Sequence, residues 1–485
     1  MAFNTLEYLL FFLVVSICYY SIPFRFRWIM LLVASYLFYM AWKPPYVLII
    51  ITQTVVAYGT ALMIGKLSDR RGRIVWMTIG LTINIGMLLV YKYLKFFTTT
   101  FNSVFEYFHF FTTPLPVYDL LLPIGISFFT FQTSAYIVDV YRGTLPPEKH
   151  FGLFSLFIAL FPHLMAGPIT RGSHILPQLK KEVPFSRNRV TGGLKLILLG
   201  LFKKMVIADR LGVLVDTVYN DPSNYTGAPL IVAAVFFAFQ IYCDFSGYVD
   251  IAIGSAQVVG VDFPDNFDHP YLSTSIGNFW RQWHMTLMSW LRDYVYFPLG
   301  GSHHGLTRTC LNTLITFLIS GLWHGASWTF VVWGGLNGFY MIVERVTKAL
   351  RQNMVHSLGL EKSSVLSRLY TVLCIIMTFS LTCFAFIFFR ANTLADAGYI
   401  TTHLFSGLGS YSNLFNLGLD KANFYFGVSA VILLEIFEWT HKRENMRFML
   451  SNKPKWLRWG FVYTLLLMVL LFRYQNERPF VYFAY

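Results

Sequence analysis

Runs of about 18 or more predominantly apolar residues recur along the whole chain, each long enough to cross a bilayer as a helix. Spans are predicted at 6–23, 26–42, 46–65, 74–93 and 120–141, in a long helix over 228–260, and at about 328–343, 366–389, 423–439 and 457–472. This pattern predicts an all-α polytopic membrane protein. About ten full transmembrane helices, with re-entrant and interfacial pieces between them, form a single domain over 1–485 that ends in a short tail, 473–485. No internal repeat appears.

Some apolar stretches are too short or too broken to be spans. Residues 96–119, aromatic-rich and interrupted by Pro114 and Pro116, read as an interfacial or outer loop. The run 151–172 is broken by Pro162, Gly167 and Pro168 and reads as kinked or re-entrant, since irregular backbone at membrane depth needs protein around it. His163 in this run is either a structural histidine or part of a pathway lining. In 192–212, Lys195, Lys203, Lys204 and Arg210 punctuate leucines, as in a helix lying at the inner interface. The piece 311–323 is short and reads as re-entrant. Over 121–143, Ser127, Thr130, Gln132, Thr133 and Asp139 either pack against neighbouring helices or line a cavity. Gln240 and Asp244, four apart, share one helical face, and acids in such surroundings pair with a buried cation or line a water path.

Composition agrees with the pattern. The chain is 55% hydrophobic and only 13% charged, with mean hydropathy +0.53, whereas soluble domains carry about 25% charge. Its net charge of +14 is concentrated in short connections such as 66–73, 171–191, 344–352 and 441–458, which the positive-inside rule assigns to the cytoplasm. With the N-terminus outside, the parity of spans places the C-terminal tail outside as well, provided 311–323 does not cross. Nucleic-acid binding needs a basic face on a folded domain, and no such domain is present. The five cysteines show no metal-ligand or disulfide spacing. Residues 6–23 lack a basic n-region and a cleavage site, so they read as a retained helix.

The chemistry available is histidine chemistry. The chain contains no GxSxG elbow, HExxH, P-loop or HxxxxD motif. Within 276–338, however, His284 and His324 are each wrapped in tryptophans, and ionisable groups at membrane depth usually face a protein-lined or watery cavity. His324 lies between Gly321 and Gly325, which permit close approach of a ligand or another backbone. Helical spacing puts Trp280, Trp283, Leu287 and Trp290 on one stripe and Arg281 with His284 on another. A neutral imidazole is a natural base for a hydroxyl attacking an acyl ester, worth about 10²–10⁴ in rate. A core histidine bonded across helices, with tryptophans as interfacial anchors, gives the same pattern.

The segments WRQWHMTLMSWLRDYVYFPLGG, SGLWHG and QIYCDFSGYVDIA together resemble the membrane-bound O-acyltransferase (MBOAT) family, and more narrowly its alginate O-acetyltransferase branch. The likeness runs from PIGISFFTFQ to the tail. It implies an MBOAT-like bundle around a funnel, with the family's invariant histidine at His324 and its second polar position at His284. Trp280, Arg281, Trp283, Trp323, Gln240 and Asp244 are then candidate funnel and supporting residues. It implies a multi-pass protein of the bacterial inner membrane, surrounded by membrane lipid, with no bound cofactor or metal. An acyl donor, acetyl-CoA, arrives from the cytoplasmic side, and an extracytoplasmic polysaccharide acetyltransferase accepts the acetyl group for an exported, alginate-like or cellulose-like polymer. D-alanyl transfer from a carrier protein to a cell-envelope polymer, and a transporter or channel, remain alternatives.

The ending FVYFAY resembles the terminus of the small partner protein of lipoteichoic acid D-alanylation, whose tyrosine is proposed to carry the acyl group. That likeness makes Tyr482 the candidate acyl relay and Tyr485 the next. Phenols titrate near pH 10, so a phenolate leaves more readily than a sugar alkoxide. An aromatic interfacial anchor is the competing reading of the same residues.

Overall fold

The computed structural model describes residues 1–109, 113–360, 363–407, 414–440, 454–474 and 478–481. Every regular element among them is a helix. Six are long and apolar enough to cross a membrane: Pro44–Lys66, Arg70–Tyr107, Ala228–Val258, Ser364–Arg390, Lys421–Thr440 and Lys455–Phe472. The other predicted spans are helical too, as Leu6–Ser21, Phe24–Met40, Ile126–Arg142 and Trp328–Val346, but do not meet the same combination of length and hydropathy.

The chain folds as two compact units, Met1–Ile197 with Ile251–Pro264, and Leu198–Asp250 with Asp265–Tyr485. In the first, Gln53 joins three helices. Its amide nitrogen donates to the Asn84 carbonyl (3.2 Å) and to Thr130 Oγ1 (3.0 Å), and Gln132 donates to Thr170 Oγ1 at 3.0 Å. The small polar residues of the Ile126–Arg142 helix therefore pack against neighbours, which satisfies groups that lipid could not. The broken run after residue 150 has the irregular form expected. The Phe151–Ala159 helix stops at Leu160, a single turn covers Phe161–Leu164, and the chain stays buried through Thr170. Gly125, at φ 80°, lets it pass, because a Cβ there would collide with the Leu164 carbonyl. His163 is buried in this run with its ring 5.1 Å from that of Phe263.

The piece 311–323 belongs to a 20-residue helix, Gly305–His324, paired with Trp328–Val346 as a tight hairpin. Two expectations are corrected. Residues 96–107 are not a loop, because the helix from Arg70 continues through a wider turn at Leu89–Tyr93 to Tyr107. Lys203, Lys204 and Arg210 do not lie on an interface: they are 3%, 1% and 5% exposed. Each lysine pairs inside the second unit, Lys203 with Asp250 (3.1 Å) and Glu438 (2.6 Å), Lys204 with Asp209 (2.8 Å) and Asp244 (2.6 Å). Charge taken out of water is tolerated only with such compensation. The expected cation partner of Asp244 is thus Lys204.

Candidate active site

The second unit brings the two histidines together. His324 closes the Gly305–His324 helix, and His284 is the second of the two residues, after Trp283, that separate the Ile276–Gln282 and Met285–Leu291 helices. Their ring centroids lie 6.4 Å apart. Trp323 packs against both, with its ring 5.7 Å from that of His284 and 4.9 Å from that of His324. Phe245 faces His284 at 4.8 Å, while Trp333 and Phe389 face His324 at 5.0 and 5.2 Å. His284 is fully buried and His324 is 6% exposed.

The tryptophan stripe is not one helix. His284 adopts a left-handed conformation (φ 47°, ψ 50°) and Trp283 is extended, so the chain breaks between them. Left-handed backbone in a residue with a Cβ costs about 1–3 kcal/mol and persists where surrounding structure over-determines it. Here that structure is the 261–273 loop. Met285 N–H donates to the Asn266 carbonyl at 3.0 Å, and Trp283 bridges to Phe267. Helical periodicity cannot register such a break, because it assumes the helix.

Asn266 is fully buried, and its place in a Pro- and Asp-rich loop gives no sign of a functional role. Its Oδ1 accepts from Thr286 N–H (3.0 Å) and Thr286 Oγ1 (2.9 Å), and lies 3.2 Å from His284 Nδ1. Because the backbone N–H can only donate, that Asn266 atom is the acceptor oxygen and His284 Nδ1 must carry the proton. Burial holds the His284 imidazole far below its ordinary range, at about 3, so the ring is neutral. A neutral ring protonated on Nδ1 presents a lone pair on Nε2. His284 is built as an acceptor on that side.

The glycines beside His324 serve the backbone. A Cβ on Gly321 would collide with the Phe330 carbonyl, and one on Gly325 with the Phe330 ring. Phe330 in turn stacks edge-on against Phe389, 4.9 Å away. This tightness fixes the hairpin turn that carries His324.

Two cavities adjoin. One of about 460 Å³ is bordered by Trp280, Met285, Met288 and Thr313; Trp280 packs against Trp333 at 5.7 Å, one ring from His324. The other, about 700 Å³, shares Gly277, Arg281, Met341 and Arg345 with the first and adds Lys348 and Arg351. Arg281 also bonds Asn278. Trp283 is instead a core residue, stacked on Phe279 and edge-on to Phe267.

Gln240 and Asp244 belong to a different cluster, where the C-terminal segment docks. Asp244 Oδ2 accepts Val481 N–H at 2.8 Å, Lys204 donates to the Pro479 carbonyl at 3.3 Å, and Arg478 pairs with Asp216 at 2.5 Å. Phe480 is 1% exposed, edge-on to Tyr248 and under the Lys204 ammonium. Asp244 nevertheless adjoins the histidines through the chain, since Phe245 follows it. Tyr482 and Tyr485 lie outside the described residues. Among the described residues no cluster of metal-ligating side chains occurs.

A family model described as MBOAT, membrane-bound O-acyltransferase family, matches residues 148–388. The chain is 35% identical to a "probable alginate O-acetylase" of Pseudomonas aeruginosa, over 90% of this chain and 81% of that protein. It is 33% identical to the protein of the same name in Pseudomonas putida over the full length of both. With a peptidoglycan O-acetyltransferase of Helicobacter pylori it shares 30% identity, over 94% of this chain and 91% of that one.

Proposed function

The chain belongs to the membrane-bound O-acyltransferase family, an O-acyltransferase by that membership, and from this premise we propose that it moves acetyl groups from cytoplasmic acetyl-CoA outward for O-acetylation of an exported polysaccharide. The observation that carries this reading is the pair of buried imidazoles 6.4 Å apart, with Trp333 and Trp280 between His324 and a cavity that shares Arg281 and Arg345 with a basic one.

His324 acts as general base. It takes the proton of the attacking hydroxyl as oxygen bonds to the acetyl carbon; the carbon–sulfur bond breaks, and the imidazolium returns the proton to the leaving thiolate. The hydroxyl's one proton goes to His324, and His284, fixed as an acceptor at Nε2, has no proton with which to polarise the carbonyl, so it serves an orienting role. The cavity with Arg281, Arg345, Lys348 and Arg351 suits the phosphates of coenzyme A, and its basic rim supports a cytoplasmic position for it, in a topology with both termini outside.

Tyr482 is the acyl relay in this scheme, with Tyr485 its alternate, and an extracytoplasmic acetyltransferase takes the acetyl group onward. Support comes from the anchoring of Arg478–Val481 beside Asp244, one residue before Phe245. The test is His324→Ala at matched protein level: acetate on the polymer should fall at least about 100-fold, and normal acetylation would refute the assignment. Tyr482→Phe keeps ring and volume and removes only the nucleophile. Radiolabelled acetyl-CoA supplied to the purified protein separates acetyl transfer from D-alanyl transfer and from a channel.

A further inference from the structure

Two indoles stand between His324 and the cavity of about 460 Å³. Trp280 borders that cavity and meets Trp333 edge-on, with ring centroids 5.7 Å apart. Trp333 in turn faces the His324 ring edge-on at 5.0 Å and is itself 1% exposed. Neither its sequence position nor the family likeness singles Trp333 out; its place against the histidine does.

The two rings have no room to move aside. Trp280 is held by Phe279 at 5.3 Å and by Phe317 at 5.2 Å, and Trp333 by Phe389 at 5.2 Å. The backbone behind Trp333 is fixed as well. A Cβ on Gly334, the next residue, would collide with the Phe317 carbonyl and lie 3.2 Å from the Gly321 Cα, so the two helices of the hairpin touch there. Trp333 therefore cannot retreat without separating the hairpin that carries His324. Packing this close resists the insertion of even one methylene.

A thioester drawn toward His324 brings the end of its acyl group against this wall. An acetyl group ends in a single methyl. Propionyl and butyryl groups add one and two methylenes, and each of these has to displace an aromatic ring. On the acyl-CoA reading above, we propose that Trp333 is the specificity-determining residue for the acyl group, its ring limiting the donor at His324 to acetyl.

The test measures kcat/KM for release of free CoA from acetyl-, propionyl- and butyryl-CoA by the full-length protein reconstituted in vesicles. In the wild type this value should fall about 10- to 200-fold for each methylene added. Trp333→Phe and Trp333→Leu open space beside His324, and should raise the butyryl-to-acetyl ratio by at least about tenfold. A tryptophan with only a structural part would lower all three donors together and leave the ratio where it was. An unchanged ratio in a variant that still turns over acetyl-CoA, or wild-type protein that takes the three donors equally, overturns this assignment and leaves acetyl transfer standing. Wild-type protein that turns over none of the three refutes acetyl-CoA as donor, and the role of Trp333 with it. The wild-type series needs no variant, so misfolding of both tryptophan variants does not block the test.

Discussion

The side-chain oxygen of Asn266 sits 3.2 Å from Nδ1 of His284 while accepting two bonds from Thr286. One amide thereby sets the tautomer of a histidine eighteen positions away and anchors the residues that hold its unusual backbone.

Removing that oxygen should impair turnover more than stability of the bundle. Asn266→Leu frees the ring to rotate and change tautomer, and activity should fall by about 10- to 100-fold, the usual cost of losing a partner that orients a functional histidine. Asn266→Asp makes a sharper test. A carboxylate favours the imidazolium, so the His284 pKa rises from its depressed value of about 3 toward neutrality. Protonated His284 cannot accept at Nε2. A pH–rate profile should therefore show activity lost as pH falls below the new pKa and regained above it, where the wild-type profile has no such limb from His284. A wild-type profile in the Asp variant would remove His284 from the acceptor role.

The basic cavity predicts a binding effect without a chemical one. Arg281→Gln or the pair Lys348→Gln/Arg351→Gln should raise KM for acetyl-CoA about tenfold per charged contact, at little change in kcat. Steady-state kinetics on reconstituted protein measure this, and unchanged KM values would place the donor elsewhere.

The Lys204 cluster should behave as a unit. Lys204 is bonded to Asp209 and Asp244 inside the fold, so Asp244→Ala should destabilise the protein by about 3–5 kcal/mol, chiefly by stranding charge. Lys204→Met strands both Asp209 and Asp244, so the double Asp244→Ala/Lys204→Met should cost less than the sum of the two singles. Thermal melts of the two singles and the double in detergent give the coupling, and simple additivity would show that the pair contributes independently.

Docking of the tail should be separable from the histidine site. Phe480 is 1% exposed, and Phe480→Ala should cost about 3–5 kcal/mol and release the segment. Polymer acetylation should then fall while acetyl-CoA binding persists. Equal loss of both would mean that the tail braces the whole unit.

At the hairpin turn, Gly325→Ala places a methyl group into the Phe330 ring and should cost about 1–3 kcal/mol. Gly335→Ala, whose Cβ meets only Leu318 at 3.8 Å, should be close to neutral. Melting temperatures of the two variants check the contrast.

The sequence alone determined that the chain is an all-helical membrane protein, because long apolar runs need only water and lipid to explain them. It also singled out His284 and His324, since two polar groups in so apolar a stretch demand a compensating purpose. It could not determine that Asp244 serves Lys204 and the tail, that Lys203 and Lys204 are interior, or that Asn266 governs His284. Lysines among leucines look the same whether they meet a membrane surface or a buried carboxylate. Asn266 lay in a loop whose Pro and Asp residues announced only a turn. Each of these assignments depends on which side chains meet across tens or hundreds of positions, a consequence of helix packing and backbone breaks that local periodicity does not encode.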